Sequence, residues 1–470
     1  MLRRLALTFL AFGIGSLSVQ AQQRFLGQGV MSGEVTSTSV LLQTRLTTQE
    51  GLDETGDLPG QTGTVRFEWS TSPNFESSQS SEPLSANRDN DFIARHKVSS
   101  LKPGTRYHFR VLASSPEGEQ PLEPIGHFQT LPSEVSEAPI QFLVFSCMNY
   151  NKFLHGNQAR ASGPLTATDE DKRLGYPALV QMREQSPAFF VATGDIVYYD
   201  NPYRNAETLP ELRQCWHEQF RFPRLIDFLK EVPGYWSKDD HDFRFNDSDH
   251  GKDRLPLPQT GIDVFREQLP IVPAGDQESP TYRTFRVNQH LQIWLTEGRD
   301  YRSLNRMKDG PKKTLWGEEQ KQWLQDTLKA SDAKWKLLIS PTPLVGPDDA
   351  YKKDNHANLK GFRHEANEFF EWLETNKIER FMTICGDRHW QYHSIHPSGV
   401  QEFACGALND ENSRMGVPPG SPKGTDPEAL IEQPFLSPEP SGGFLSVTAG
   451  ENLLIEFYND EGQRLYEARP

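Results

Sequence analysis

Residues 189–200 read FFVATGDIVYYD: a short apolar run that stops at Gly194-Asp195. Such a run, closed by a turn, reads as a buried strand. In open α/β sheets ligands bind beyond the carboxyl ends of the strands, so Asp195 stands where chemistry is done, and Tyr198, three residues on, returns towards it through the turn. For one strand end alone, an ordinary turn is the competing reading. The construction recurs, however. Residues 381–389, FMTICGDRH, end in Gly386-Asp387 with His389 two further on, and residues 141–147, QFLVFSC, end in Cys147. Strand ends carrying Asp, Asp-x-His and Cys read as pieces of one metal site, because carboxylate, imidazole and thiolate are metal-ligating groups.

Outward from these strands, from 139 to 470, apolar strand-like runs alternate with amphipathic helical stretches, the pattern of a layered α/β domain. Helices are expected at 176–185, at 209–230 with a break at Pro223, at 316–328 and at 365–376. Strands are expected at 335–340 and in a terminal hairpin turned at 459–462. Residues 411–443, rich in Pro, Gly and Ser, read as an ordered surface loop or a lid. The polar segment 131–139, LPSEVSEAP, marks a boundary. Before it, residues 22–131 read as an all-β sandwich: VTSTSVLLQTRL and TVRFEWSTSPNF alternate apolar and polar residues. The segment 101–107, LKPGTRY, is similar to the corner of fibronectin type III sandwiches, where a tyrosine hydroxyl ties a loop to a strand.

A chain of 470 residues exceeds one ordinary core, so two domains are expected. The formal net charge of −15 disfavours nucleic acid or an anionic membrane surface as the main partner. A small phosphorylated substrate is compatible with it, because a bound metal reverses the local field. Residues 1–21, MLRRLALTFLAFGIGSLSVQA, have the parts of a signal peptide, with Arg3 and Arg4, an apolar run and small residues before a cleavage point after Ala21. Export to the periplasm or medium is therefore expected, and no later segment is apolar enough to span a bilayer. The four cysteines, Cys147, Cys215, Cys385 and Cys405, are too widely spaced for a disulfide scaffold. Cys385 and Cys405 read as buried thiols, or as a pair if their strands are neighbours.

The densest polar cluster follows Trp236: Asp239-Asp240-His241-Asp242, then Asn246-Asp247-Ser248-Asp249-His250. So many acids in succession cannot be buried without partners. A metal or phosphate site is one reading; a solvated acidic loop is the other.

Together these stretches resemble the alkaline phosphatase D (PhoD-like) family of the metallophosphoesterase superfamily. The resemblance runs over nearly all of the chain after residue 21: GVMSGEVTSTSVLLQTRL at 29–46, Ser146-Cys147, GDIVY at 194–198, DDHD at 239–242 with Asn246-Asp247 behind it, GRDYR at 298–302 and GDRHW at 386–390. It implies a four-layer metallophosphoesterase sandwich preceded by a fibronectin-like domain. It also implies a dinuclear centre in which Asp195 bridges iron and calcium. Cys147, Tyr198 and His389 are then iron ligands, and Asp240 and Asp387 join Asp195 on calcium, with Asn246 the alternative to Asp240. Thiolate and phenolate suit ferric iron, and hard oxygens suit calcium. His241 is implied beside the phosphate, as proton donor or charge stabiliser.

Arg299 and Arg302, flanking Tyr301, are candidates for holding the phosphate, a surface ion pair being the competing reading for each. Arg388 and His393 are read as neighbours of the ligands, and His217, His356 and His364 as surface residues. Two departures from the family pattern stand out: Ser237-Lys238 separate the aromatic Trp236 from Asp239, and Glu297 replaces an aspartate. The expected function is an exported phosphoesterase using metal-activated hydroxide. Its rivals are a phosphodiesterase or phospholipase D-like activity, a non-catalytic extracellular protein that binds phosphorylated ligands, and an adhesion protein built on the sandwich. The two arginines tilt the expectation towards monoesters.

Overall fold

The computed structural model describes residues 23–116, 118–156 and 165–470; the expected leader, 1–21, lies outside them. The strand Phe189–Thr193 pairs in parallel with Ile140–Phe145 on one side and Gly234–Ser237 on the other. Its side chains alternate between two cores. Phe189 and Val191 face inward with Phe142 and Val144, while Phe190 and Ala192 pack outward among residues of the helices Ala178–Glu184 and Pro223–Leu229. A strand covered on both faces must be apolar throughout, which is why the run shows no alternation.

Among the described residues this strand belongs to a nine-stranded mixed sheet, and a second, seven-stranded sheet holds Leu291–Leu295, Trp335–Ser340, Phe381–Cys385 and Gln401–Cys405 as parallel neighbours. Phe142, Tyr235, Ile293, Leu337, Ile384 and Phe403 share the inner core. The helices Glu318–Ala330 and Arg363–Thr375 cover the outer face of the second sheet through Leu324, Leu328, Phe369 and Leu373. Helix, sheet, sheet and helix make four layers, as the resemblance implies. The expected 209–230 helix is two, Leu209–Phe220 and Pro223–Leu229, with Pro223 opening the second, where its missing N–H costs nothing. The loop expected at 411–443 contains a strand, Glu432–Leu436, on the edge of the second sheet.

The N-terminal part is all-β, and the Lys102 N–H donates to the Tyr107 hydroxyl at 3.0 Å, forming the expected corner. Its strands Val30–Gly33, Val40–Arg45 and Ile93–Val98 nevertheless continue the nine-stranded sheet. Gly33 lies opposite Gly234, and the Glu34 N–H donates to the Gly234 carbonyl at 3.1 Å. Val65, Phe67 and Phe109 accordingly share one core with Phe142 and Phe189. All four cysteines are buried free thiols, so the alternative of a Cys385–Cys405 pair is not realised.

His217 and His356 are buried, contrary to the surface reading. His217 Nδ1 lies 2.5 Å from Asp57 Oδ1 and its Nε2 lies 2.7 Å from Asp91 Oδ2, which ties the helix Leu209–Phe220 to the N-terminal strands. Arg45 completes this clasp at 3.1 Å from Asp91. Burial by itself raises the Asp91 carboxyl, but the charges of His217 and Arg45 outweigh it and hold the group well below the ordinary carboxylate range. A depressed folded-state pKa contributes stability above the unfolded pKa, about 4, and loses it as pH falls through the lower folded value. Asp91→Asn is therefore expected to lower unfolding free energy by about 3 kcal/mol at pH 7, a difference that shrinks in acid below about pH 4. Denaturant titrations at the two pH values measure it.

Candidate metal centre

The parallel strands of both sheets deliver their carboxyl ends to one edge, and the residues just past those ends take an uncommon backbone. Cys147, Asp195 and Asp387 have φ of 56°, 57° and 61°. A non-glycine residue in this left-handed region costs about 1 kcal/mol or more, and such outliers concentrate at functional sites. The preceding glycines are required by space. A Cβ on Gly194 would lie 2.7 Å from the backbone nitrogen and Cβ of Asp239, and one on Gly386 would lie 2.3 Å from Thr193 Oγ1 and 2.5 Å from Ser146 Oγ. Each Gly-Asp unit thus lets two strand ends meet closely enough for their carboxylates to converge.

Asp195 is the common member. Ligand atoms of Cys147, Asp195 and His389 lie within 4.8 Å of one another, and the same holds for Asp195, Asp240 and His241 and for Asp195, Asp239, Asp240 and Asp387. The Asp195 Oδ2 receives the Tyr198 hydroxyl at 3.1 Å and the Cys147 thiol at 3.4 Å, whereas its Oδ1 faces the His241 N–H at 3.4 Å. Burial and the neighbouring Asp240 push the Asp195 carboxyl well above its usual range, and burial and Asp195 do the same to the Cys147 thiol and the Tyr198 phenol. Asp239 Oδ2 and Asp240 Oδ1 are buried with no hydrogen-bond partner among the described residues. Crowded carboxylates with orphaned oxygens, beside a thiol and a phenol, are a donor set suited to cations. Asn412 braces that side, donating to the Cys147 carbonyl at 2.8 Å and to the Tyr198 hydroxyl at 3.2 Å.

Asp239, Asp240 and Asp242 are buried and His241 is partly exposed, so the segment is not a solvated acidic loop. The Asp242 carboxylate accepts the N–H groups of Asp239 at 2.6 Å and Ile196 at 3.0 Å, fastening this turn to the Gly194-Asp195 turn. His241 stacks on Tyr198 with ring centroids 4.1 Å apart, and its Nδ1 lies 2.6 Å from Asp200 Oδ1, leaving Nε2 as its other polar atom. Burial alone lowers the His241 pKa, but Asp200, Asp240 and Asp195 together raise it well above the ordinary histidine value. Asn246 is exposed, and its N–H donates to Asp200 Oδ2 at 2.8 Å.

The two arginines read as phosphate holders are buried, and apart from Arg302 Nε their guanidinium nitrogens are engaged by the protein. Arg299 reaches Asp239 Oδ1 at 2.6 Å, the Ser248 carbonyl at 2.9 Å and Asp354 Oδ2 at 3.4 Å. Arg302 reaches Asn305 Oδ1 at 2.7 Å and the Asp354 carbonyl, with Phe362 under its guanidinium. Arg388 does touch a candidate ligand, bridging Asp387 and Asp348. His393 belongs elsewhere: it sits in the strand Gln391–Ile395, stacked on Phe403 and bonded to Gln401 and Tyr466.

Lys238 and Glu297, the positions at which the resemblance implied departures, are in contact. Lys238, fully buried, places Nζ 2.7 Å from Glu297 Oε2 and 2.5 Å from Asp300 Oδ1. Lys238 and Glu297 are thus ion-pair partners. Lys238→Met is expected to destabilise the protein by about 3–5 kcal/mol, because it leaves buried carboxylates without a counterion; Lys238→Met combined with Glu297→Gln recovers part of the loss. Denaturant unfolding of the single and double variants measures the coupling.

Asp354 and Asp200, not singled out from sequence as site residues, also line this edge. Asp354, Asp247 and Asp240 form a further carboxylate group, and Asp200 holds His241. Asp200 closes the FFVATGDIVYYD stretch, but Asp354 lies in a polar loop with no apolar run to flag it.

Fold and site together define a metallophosphoesterase architecture, with candidate ligands at the carboxyl ends of two facing sheets. Residues 142–433 match the family model described as PhoD-like phosphatase, and residues 14–132 match its N-terminal domain. The chain belongs to the PhoD-like phosphatase family and is a phosphoric ester hydrolase. It is similar to alkaline phosphatase D of Bacillus subtilis (strain 168), with 22% identity over 442 residues that span 82% of this chain and 68% of that protein. Its fold matches a solved structure of PhoD with a TM-score of 0.71 and 18% identity, covering 94% of this chain and 89% of that one. It also matches purple acid phosphatase PPD1 from yellow lupin (Lupinus luteus) seeds, with a TM-score of 0.62 and 14% identity over 94% of this chain and 73% of the other.

Proposed function

We propose that the protein is an exported phosphoesterase that hydrolyses a small phosphate ester at a dinuclear centre of iron and calcium. The observation that carries this reading is the Asp195 carboxylate, one oxygen of which faces Cys147 and Tyr198 while the same residue lies within ligand distance of Asp240 and Asp387. Cys147, Tyr198, His389 and Asp195 would hold iron, since thiolate and phenolate favour it. Asp195, Asp240 and Asp387, with Asp239 beside them, would hold calcium. When bound, the two cations supply a hydroxide nucleophile at neutral pH and offset charge on the phosphoryl oxygens.

The chain's own residues do the rest. Asp200 fixes the ring of His241, so that Nε2 carries the proton delivered to the leaving oxygen. Asp242 holds the turn that bears His241 against the turn that bears Asp195. Arg388 orients Asp387, and Arg299 and Arg302 act from behind, fixing Asp239 and Asp354. That assignment removes the sequence-based reason for favouring monoesters, so diester hydrolysis stands as the second reading. Residues 1–21 support export.

The test is hydrolysis of 4-nitrophenyl phosphate and bis(4-nitrophenyl) phosphate before and after chelation. Activity on at least one ester is expected to fall by about 100-fold or more on metal removal and to return with iron plus calcium. Full activity of exhaustively chelated protein contradicts the proposal.

A further inference from the structure

We propose that Lys352 is a built-in cation, filling a third cation corner of the acidic site that would otherwise take a metal ion. Asp240, Asp247 and Asp354 each offer an oxygen within 4.8 Å of the other two, the spacing of a candidate ion site. Asp240 and Asp354 are 1% and 0% exposed, and one oxygen of each has no hydrogen-bond partner among the described residues. Such a triangle needs positive charge. In this chain the charge comes from Lys352, whose Nζ lies 2.5 Å from Asp247 Oδ1 and 3.9 Å from Asp354 Oδ1.

The distances decide between ammonium and ion. Calcium binds carboxylate oxygens at roughly 2.3–2.6 Å, so the ammonium 2.5 Å from Asp247 Oδ1 already takes the oxygen that an ion in this corner would need. Nor is Lys352 a loose surface lysine. Its side chain is 9% exposed, its N–H donates to the Asp349 carbonyl at 3.2 Å, and the Asp349 carboxylate is tied to Arg414 at 2.7 Å. Arg299 closes the corner from behind, 3.4 Å from Asp354 and 3.9 Å from Asp240. Asp240 also belongs to the Asp195 group, so this corner adjoins the proposed dinuclear centre. A tethered ammonium there neutralises carboxylates that would repel an anionic substrate, and neither dilution nor a chelator can remove it. The site then loads two metal ions and keeps one fixed charge.

The expected count of two rests on the dinuclear reading; the role of Lys352 rests on a difference between variants. Full-length protein purified with its metals is equilibrated with calcium, freed of excess and analysed by elemental mass spectrometry, as wild type, Lys352→Gln and Lys352→Arg. Lys352→Gln is expected to carry one more calcium per chain than wild type, and its melting temperature to climb further with added calcium. Lys352→Arg is expected to keep the wild-type count. Equal counts in folded Lys352→Gln and wild type overturn the proposal, as does a Lys352→Gln chain that stays unfolded at saturating calcium. A wild-type count other than two contradicts the dinuclear reading, while the difference between variants still decides the role of Lys352.

Discussion

Exchanging Asp195 for asparagine is expected to lower kcat/KM by about 10⁴-fold, the scale of loss when one member of a group that acts as a unit is removed. The reason is specific to the atom. An asparagine amide presents one acceptor oxygen and an NH₂ that repels a cation, so it cannot offer both of its ends to metal ions. Asp195 Oδ2 lies against Tyr198 and Cys147, and Oδ1 faces the His241 N–H, so the substitution disables both sides at once. The fold should not suffer. Because burial and Asp240 push the Asp195 carboxyl well up, its charged form costs stability in protein stripped of metal, and a neutral amide of the same shape relieves that cost. Metal content is expected to collapse, while the unfolding midpoint of chelated Asp195→Asn equals or exceeds that of chelated wild type. A ligand that opposes the stability of its own fold is the signature of a functional carboxylate.

The second large effect is at His241. His241→Asn is expected to slow hydrolysis by about 10²–10⁴-fold, the range of general-acid contributions, with the larger loss on alkyl phosphates and the smaller on 4-nitrophenyl phosphate. A nitrophenolate leaves without help; an alkoxide requires the proton. The closeness of Asp200 makes Nδ1 the held nitrogen, so Asp200→Asn should show the same leaving-group dependence in weaker form. Metal content of His241→Asn is expected to match wild type. Because His241 also lies within ligand distance of Asp195 and Asp240, loss of one metal ion from this variant reassigns it as a ligand.

The strand ends were legible because an apolar run that stops at Gly-Asp or Ser-Cys carries local physics: a strand covered on both faces, then a turn that turns a polar side chain towards the sheet edge. Asp195, Asp387 and Cys147 could be found on that ground, and DDHD by the cost of burying adjacent acids. Arg299 and Arg302 show where such reading stops. Their side-chain chemistry suits a phosphate, yet what they touch is set largely by the segments carrying Ser248 and Asp354, which pack from about 50 residues away. Asp354 and Lys352 sit on a polar loop with no periodicity, so no local signal marks them. His217 read as a surface residue because its partners, Asp57 and Asp91, are supplied by the N-terminal part. The same long-range cause hid the joining of Val30–Gly33 to Gly234–Ser237, since strand pairing between distant segments leaves no mark in either one.

Whether Asp195 and Cys147 hold a dinuclear centre is decided by the metal content of the purified protein, wild type and Cys147→Ala, measured alongside hydrolysis of a phosphomonoester and a diester. About one iron and one calcium per wild-type chain are expected with turnover of at least one ester, and loss of iron and activity together in Cys147→Ala. A folded, active wild-type protein without stoichiometric metal, or a Cys147→Ala variant that keeps its iron, contradicts that assignment.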